Sequence, residues 1–374
     1  MNNYEVGVYY FPNYHRDERN RKQHGEDWTE WELVKRAEPR YDGHVQPRVP
    51  LWGYEDESDP KVMAKKIKAA ADSHISSFIF DWYWYNDGPF LDGALNRGFL
   101  EAENSMDLKF ALMWANHDWV DIHPATRQGD YPILYPGVVN REAFDTMCDT
   151  VIEKYFSRPN YWRVDGGLYF SIYMPTNLVC GFGGIDRARE ALDGFREKVR
   201  QAGLGELHLN AIIWGEQILP GEKVIEDVNG FTEALGFDSI SSYVWIHHYL
   251  PKDKIQQDYG EFVEKCTTPM YREMTEYYRL PYYPNVTVGW DSSPRTIQSD
   301  VFDLRQYPFY PVLENNTPEK FKEALLRAKA FLDEGHTRTK VMTINAWNEW
   351  TEGSYLEPDE QYGTGFLDAI RDVF

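Results

Sequence analysis

VMTINAWNEWTEGSYLEP, residues 341–358, opens as a strand and closes as a site. Its first residues are apolar and β-branched, as buried strands are. Within a few positions come two carboxylates, Glu349 and Glu352, beside Trp347, Trp350 and Tyr355. Acids are costly to bury unpaired, and a surface helix that carried them cheaply would have no use for the tryptophans. Strands that end in polar and aromatic residues are what a (β/α)8 barrel gathers at its active face.

Seven more runs of this kind precede it: EVGVYYFP (5–12), SSFIFDWYW (76–84), KFALMWAN (109–116), GLYFSIY (167–173), LHLNAIIW (207–214), SISSYVWI (239–246) and NVTVGW (285–290). Helical patterns separate most of them, at 59–73, 142–157, 186–203 and 317–335. The last has Thr at the N-cap, Pro at the first helical position and Gly at the end. Alternating strands and helices predict parallel βαβ units. Eight of them predict a single (β/α)8 TIM barrel, in the α/β class, with long loops at the C-terminal face of the strands. A doubly wound open sheet is the alternative, but no Gly-rich phosphate turn follows any strand. With no repeat, linker or low-complexity tract, one catalytic domain over 1–374 is expected.

Two connections lack obvious secondary structure, residues 28–55 and 247–284, and are expected to wall a cleft. HRDERNRK (15–22) is mixed in sign and reads as a solvated loop. The net charge of −21 argues against nucleic acid and anionic lipid as partners. Cys148, Cys180 and Cys266 are too scattered for a disulfide framework or a zinc site. No signal-peptide pattern or membrane-spanning run is seen, so a cytoplasmic enzyme without membrane insertion is expected.

Aromatic residues make up 16% of the chain, with 13 Trp and 26 Tyr, and flat rings suit the faces of sugars. Many stand at strand ends: Tyr10, then Asp81 and Tyr83, then Trp114, Asn116 and His117, then Tyr173. Trp214 and Glu216, Tyr243 and Trp245, and Trp290 and Asp291 end the next three strands. Any one of these is as consistent with packing as with a ligand; the set favours a substrate-binding face. In DGHVQPRVP, His44 and Gln46 are candidates on the long first loop. Paired acids among aromatics point to glycosidic bonds, one carboxyl protonating the leaving oxygen while the other is ionised. Desolvation by Trp350 and Tyr355 is expected to raise one of the two pKa values, and Asn348 to bond an acid or a sugar hydroxyl. Strand four ends without a carboxylate and strand seven offers Asp291 alone, which leaves the pair after strand eight as the site. The histidines show no metal spacing, and neither a metal nor a cofactor is expected.

NAWNEWTEGSYLEP resembles the C-terminal motif of glycoside hydrolase family 99 and its WbsX-like relatives. YYFPNYH (9–15), DWTEWELVKRAEPRYDGHVQPRVP (27–50) and MWANHDW (113–119) resemble the WbsX-like branch. The resemblance implies a (β/α)8 barrel and metal-independent, retaining cleavage of α-mannosides within an oligo- or polysaccharide. The sugar's own 2-hydroxyl is then the nucleophile and a 1,2-anhydro sugar the intermediate. By that motif Glu349 deprotonates the 2-hydroxyl, while Glu352 protonates the leaving oxygen and then activates water. Family 99 has His between the two acids where this chain has Thr351. WbsX-like proteins are also labelled glycosyltransferases of surface-polysaccharide assembly, which is the rival reading. A non-catalytic glycan-binding barrel is the third.

Overall fold

The computed structural model describes residues 4–374; the first three residues of the expected domain lie outside that range. All eight expected strands form: β1 (Tyr4–Tyr10), β2 (Ser77–Tyr85), β3 (Lys109–Trp114), β4 (Gly167–Ile172), β5 (Leu207–Ile212), β6 (Ser239–Ser241), β7 and β8 (Lys340–Asn345). β7 is in two pieces, Tyr282–Tyr283 and Asn285–Thr287. The first piece pairs with β6 and the second with β8, all parallel. Pro284 between them has no N–H to give to a ladder, but its carbonyl accepts from Thr343 N–H at 2.9 Å. Because one strand serves both neighbours, the parallel sheet closes on itself as a (β/α)8 barrel.

The helices are α1 (Glu18–His24), α2 (Trp31–Lys35), α3 (Pro60–Asp72), α4 (Arg141–Val151), α5 (Pro175–Phe182), α6 (Ile185–Gln201), α7 (Val228–Leu235), α8 (Tyr259–Glu276), α9 (Pro318–Asp333) and α10 (Gly365–Val373). Two expectations are corrected here. The mixed-charge segment at 15–22 is no loop: Asp17 caps α1 by accepting from Arg19 N–H at 2.7 Å, and Glu18 and Arg21 pair across one turn. The connection at 247–284 holds the 18-residue α8. Its buried positions, Tyr259, Phe262, Val263, Cys266, Met270 and Met274, recur at helical spacing, and Pro269 inside the helix obscures the pattern.

Side chains alternate across each strand, and this sorts the aromatics. On β2, Phe78 and Phe80 meet Phe99 outside the barrel, and Trp84 Nε1 donates to the Ala143 carbonyl. Asp81 and Tyr83 point the other way, into the barrel mouth. The interior below is polar and hydrogen-bonded: Asn210 accepts from Ser171 and Ser241 at 2.9 and 2.8 Å and donates to Ser239 at 2.9 Å. One continuous apolar cluster joins the wall to the helices, from Val6 to Val373. No helix among the described residues is long and apolar enough to cross a membrane.

Candidate active site

A pocket opens at the C-terminal ends of the strands. Asp81 and Tyr83 from β2 line it, with His117 and Trp119 after β3 and Tyr173 after β4. Tyr243 follows from β6, Trp290 and Arg295 from β7, and Glu349 and Glu352 from the turns after β8. Trp119 and Tyr83 meet edge to face, with ring centroids 5.2 Å apart. Asp81 Oδ1 and Trp290 Nε1 are buried without a hydrogen-bond partner, polar groups that a ligand would complete.

Arg295 organises the acids. Nη1 donates to Glu352 Oε1 at 2.7 Å and Nη2 to Glu349 Oε2 at 3.1 Å. Nε donates to Glu30 Oε1 at 3.0 Å and to the Thr351 hydroxyl at 2.9 Å, and Nη1 also reaches the Tyr307 hydroxyl. That hydroxyl in turn donates to Glu352 at 2.6 Å. Tyr243 donates to Asp81 at 2.7 Å and reaches Glu349 at 3.2 Å. Thr351 donates to Glu30, so this threonine belongs to the support behind the acids and does not line the pocket.

Burial pushes Glu349 well above the ordinary carboxylate range, and the charge of Glu352 adds to it, against Arg295. Glu352 is raised by burial as well, with Arg295 and the Tyr307 hydrogen bond opposing. Burial also raises Asp81, Tyr243 opposing and Glu352 adding. Glu30 goes the other way: burial works against its charge, but Arg295, His123, Thr351 and Asn13 together hold it below the usual value. Glu30 is thus held toward its anionic form, while Glu349 and Glu352 titrate as a linked pair over one guanidinium, each above the ordinary carboxylate range.

The other candidates divide by strand alternation. Tyr10 packs on Phe78 and Phe80, Trp114 on Phe144, and Trp245 donates to the Asn285 carbonyl. All three face the helix layer and not the pocket. Asn116 bonds both the N–H and the carbonyl of Met174, a corner of the scaffold. Trp214 packs behind Tyr173 and His247, and Glu216 lies part-exposed near Lys252 at 3.4 Å. His44 and Gln46 both bind Asp291 Oδ2, at 2.8 and 2.6 Å, beside the pocket but outside its lining. The long first loop therefore buttresses the acids from behind, contrary to its expected place in the cleft wall.

The motif itself is half support. Asn348 ties β1 to the site, accepting from Phe11 N–H at 2.8 Å and donating to the Phe11 carbonyl at 2.7 Å, and it donates to Glu57 at 2.9 Å. Trp350 stacks on Tyr355 at 3.7 Å and donates to Glu357 at 2.7 Å. Both rings sit behind the acids, so the desolvation that raises Glu349 comes from the pocket wall and the buttress together. Gly353 ends the turn with φ 64°, and a Cβ there would lie 2.8 Å from Asp291 Cβ.

Arg295, Tyr307, Glu30 and Glu222 were not foreseen. Each is a single polar residue in an irregular segment, with no periodicity to mark it; only Glu30 lies in a stretch that the resemblance covered. Among the described residues no cluster of three or more His, Cys, Asp or Glu is arranged to hold a metal ion.

Fold and pocket together define a (β/α)8 barrel of the kind seen in glycoside hydrolases. The GH99 endo-α-mannosidase from Bacteroides thetaiotaomicron aligns over 99% of this chain and 95% of its own, at TM-score 0.55 and 13% identity. A glycoside hydrolase-like protein aligns over 99% and 94%, at TM-score 0.62 and 15% identity. The family model for glycosyltransferase WbsX matches residues 6–370, and the chain belongs to that family. WxcX of Xanthomonas campestris pv. campestris is 27% identical over 369 residues, which are 97% of this chain and 48% of that protein. The chain spans about half the length of the curated relatives it matches.

Proposed function

We propose that this protein is a retaining glycoside hydrolase acting, within one catalytic domain over 1–374, on α-linked, manno-configured or similar glycans. The observation that carries the reading is Arg295 set across Glu349 and Glu352, at 3.1 and 2.7 Å. Glycosidic cleavage needs one proton delivered and one removed. Two carboxyls with a common counter-ion can exchange those roles without changing the charge of the cluster. Glu349 takes the proton of the sugar's 2-hydroxyl, and O2 closes on C1. The C1–oxygen bond to the leaving group breaks, and Glu352 gives that oxygen its proton. Glu352 then takes a proton from water, whose oxygen opens the anhydro ring at C1, and O2 recovers its proton from Glu349. Tyr83, Trp119 and Trp290 supply ring faces for the sugar.

The family name favours a second reading, transfer from an activated sugar. Against it, Arg295 is the one Arg or Lys among the lining residues, and three carboxylates already hold it. A diphosphate would meet unneutralised acid there. A non-catalytic glycan binder has no use for two buried acids that cost it stability.

The test is incubation of wild type and Glu352→Gln with α-linked mannose, rhamnose and related oligosaccharides, new reducing ends being read by mass spectrometry. Product from wild type alone supports the reading. Product from both removes Glu352 from its role, and silence across the panel turns attention to nucleotide-sugar binding. The chemistry calls on no metal, so EDTA should leave turnover unchanged; a marked loss would count against it.

A further inference from the structure

Another buried acid beside the pocket has no part in the chemistry above. Glu222, in the loop after β5, is 3% exposed. It accepts from the Tyr173 hydroxyl at 2.6 Å and from Ile218 and Leu219 N–H at 2.7 and 2.9 Å. Three donors, two of them main chain, fix this carboxylate in place and favour its charge. His247 Nε2 lies 3.4 Å from the same carboxylate. His247 comes from the single turn Trp245–His247 after β6 and lines the pocket. Its ring lies against Trp214 at 5.1 Å and 28°.

The imidazole thus has a fixed anion 3.4 Å from one edge and an indole against one face. It is 1% exposed, and neither ring nitrogen has a hydrogen-bond partner among the described residues; Nε2 has the Glu222 carboxylate 3.4 Å away, whereas Nδ1 has no charged partner. A buried nitrogen left bare costs free energy until something completes it. The pocket is where that partner can enter.

We infer that His247 is a specificity-determining residue that reads one hydroxyl of a neutral sugar through Nδ1, an inference that rests on the glycan reading of this pocket. A hydroxyl both donates and accepts, so it completes Nδ1 whichever protonation state the ring holds. A carboxylated sugar is disfavoured because it would meet Asp81, Glu349 and Glu352 with the one guanidinium already engaged. Discrimination is sharp in such a site, since an analogue lacking the hydroxyl leaves the nitrogen unpaired. The Tyr173 hydroxyl is held by Glu222, which leaves its ring as the surface for sugar.

The test reads binding, so it stands apart from turnover. The ¹⁵N imidazole signals of His247, assigned by their loss in His247→Gln, are followed during titration. The probes are methyl α-D-mannopyranoside, methyl α-L-rhamnopyranoside, the monodeoxy analogues of the mannoside, and its uronate. The neutral glycosides should move the Nδ1 signal, and one deoxy analogue should not, binding about tenfold more weakly. The uronate should bind more weakly than the mannoside. His247→Gln should weaken the parent about tenfold and leave that one deoxy analogue unchanged. Glu222→Gln, whose single oxygen can keep the two main-chain donors while its amide N–H turns to the Tyr173 hydroxyl oxygen, should reproduce part of the loss with the fold intact by thermal melt. Equal loss for every ligand would mark a merely structural residue and overturn the inference. Tighter binding of the uronate, or no response of Nδ1 to any glycoside, would overturn it too. Glycan cleavage lost in Glu352→Gln while His247 stays silent would sink this inference alone; a His247 response without cleavage would sink the hydrolase reading alone.

Discussion

The main-chain N–H of Asp291 donates to the carbonyl of Glu352 at 2.5 Å. This bond joins the end of β7 to the turn that carries the acid, and Gly353 permits the approach. The Asp291 side chain is the anchor, accepting from His44, Gln46 and Ser293 N–H. Burial opposes its charge, but the His44 hydrogen bond and the charges of His44 and Arg48 prevail and hold it well below the usual range. Asp291→Asn should cost about 1.5–3 kcal/mol and lower kcat more than it changes KM. A depressed carboxyl gives stability that is full above its unfolded value of about 3.9 and lost as pH falls toward the folded one. The stability gap between wild type and variant should therefore close in acid; a gap constant from neutral pH to pH 2 would contradict this.

Arg295 is the common cation of Glu30, Glu349 and Glu352. Its removal leaves buried acids facing one another. Arg295→Met should cost about 3–5 kcal/mol at neutral pH by urea denaturation. The cost should be smaller in acid, because the Arg295–Glu30 contribution is present above the unfolded pKa of Glu30 and lost as pH falls through its lowered folded value. Arg295→Lys should recover stability in part but not activity, since a single ammonium cannot bridge the carboxyls of Glu349 and Glu352 as the guanidinium does. Wild-type turnover in that variant would dismiss the shared counter-ion.

The two acids proposed as catalytic should differ in their response to the leaving group. Glu352→Gln should lower turnover about 10²–10⁴-fold with poor leaving groups, and much less with an activated aryl glycoside. Glu349→Gln should be as damaging with either, because ring closure by O2 needs its base. Substantial activity of Glu349→Gln on an aryl glycoside would rule out attack by the 2-hydroxyl. As burial raises both acids, the alkaline limb of the pH–rate profile should lie well above the ordinary Glu value of about 4.3.

Lys66 is held between Glu57 and Glu357, 2.5 Å from each. Glu357 also takes the indole N–H groups of Trp347 and Trp350, so this cluster fixes the back of the motif. Lys66→Met should cost about 3–5 kcal/mol by chemical denaturation. Lys65→Met, which breaks a part-exposed pair with Glu55, should cost about 0–1 kcal/mol. Equal costs would mean that the buried triad contributes nothing special.

Much of the barrel was legible because periodicity is a local signal. Each strand run was short, apolar and bounded, and helices such as α9 carried their own caps. What failed locally failed for a local reason: Pro269 masks α8, and α1 is too polar to show an apolar stripe. Alternation was equally available for the aromatic strand ends. Read with a period of two, SSFIFDWYW puts Asp81 and Tyr83 on one face and Trp82 and Trp84 on the other, as observed.

By itself, then, the sequence determined the eight-unit barrel, the strand ends at which its pocket opens and the two carboxylates after β8 that line it, since each is written in neighbouring residues. Only the tertiary structure decided what those carboxylates are. Arg295 and Tyr307 reach Glu352 from 57 and 45 residues away, and Thr351 meets Glu30 across 321. A pKa is set by burial and by charges within a few ångströms, whatever their distance along the chain, so the protons of this site follow from closure of the barrel and from no stretch of sequence alone.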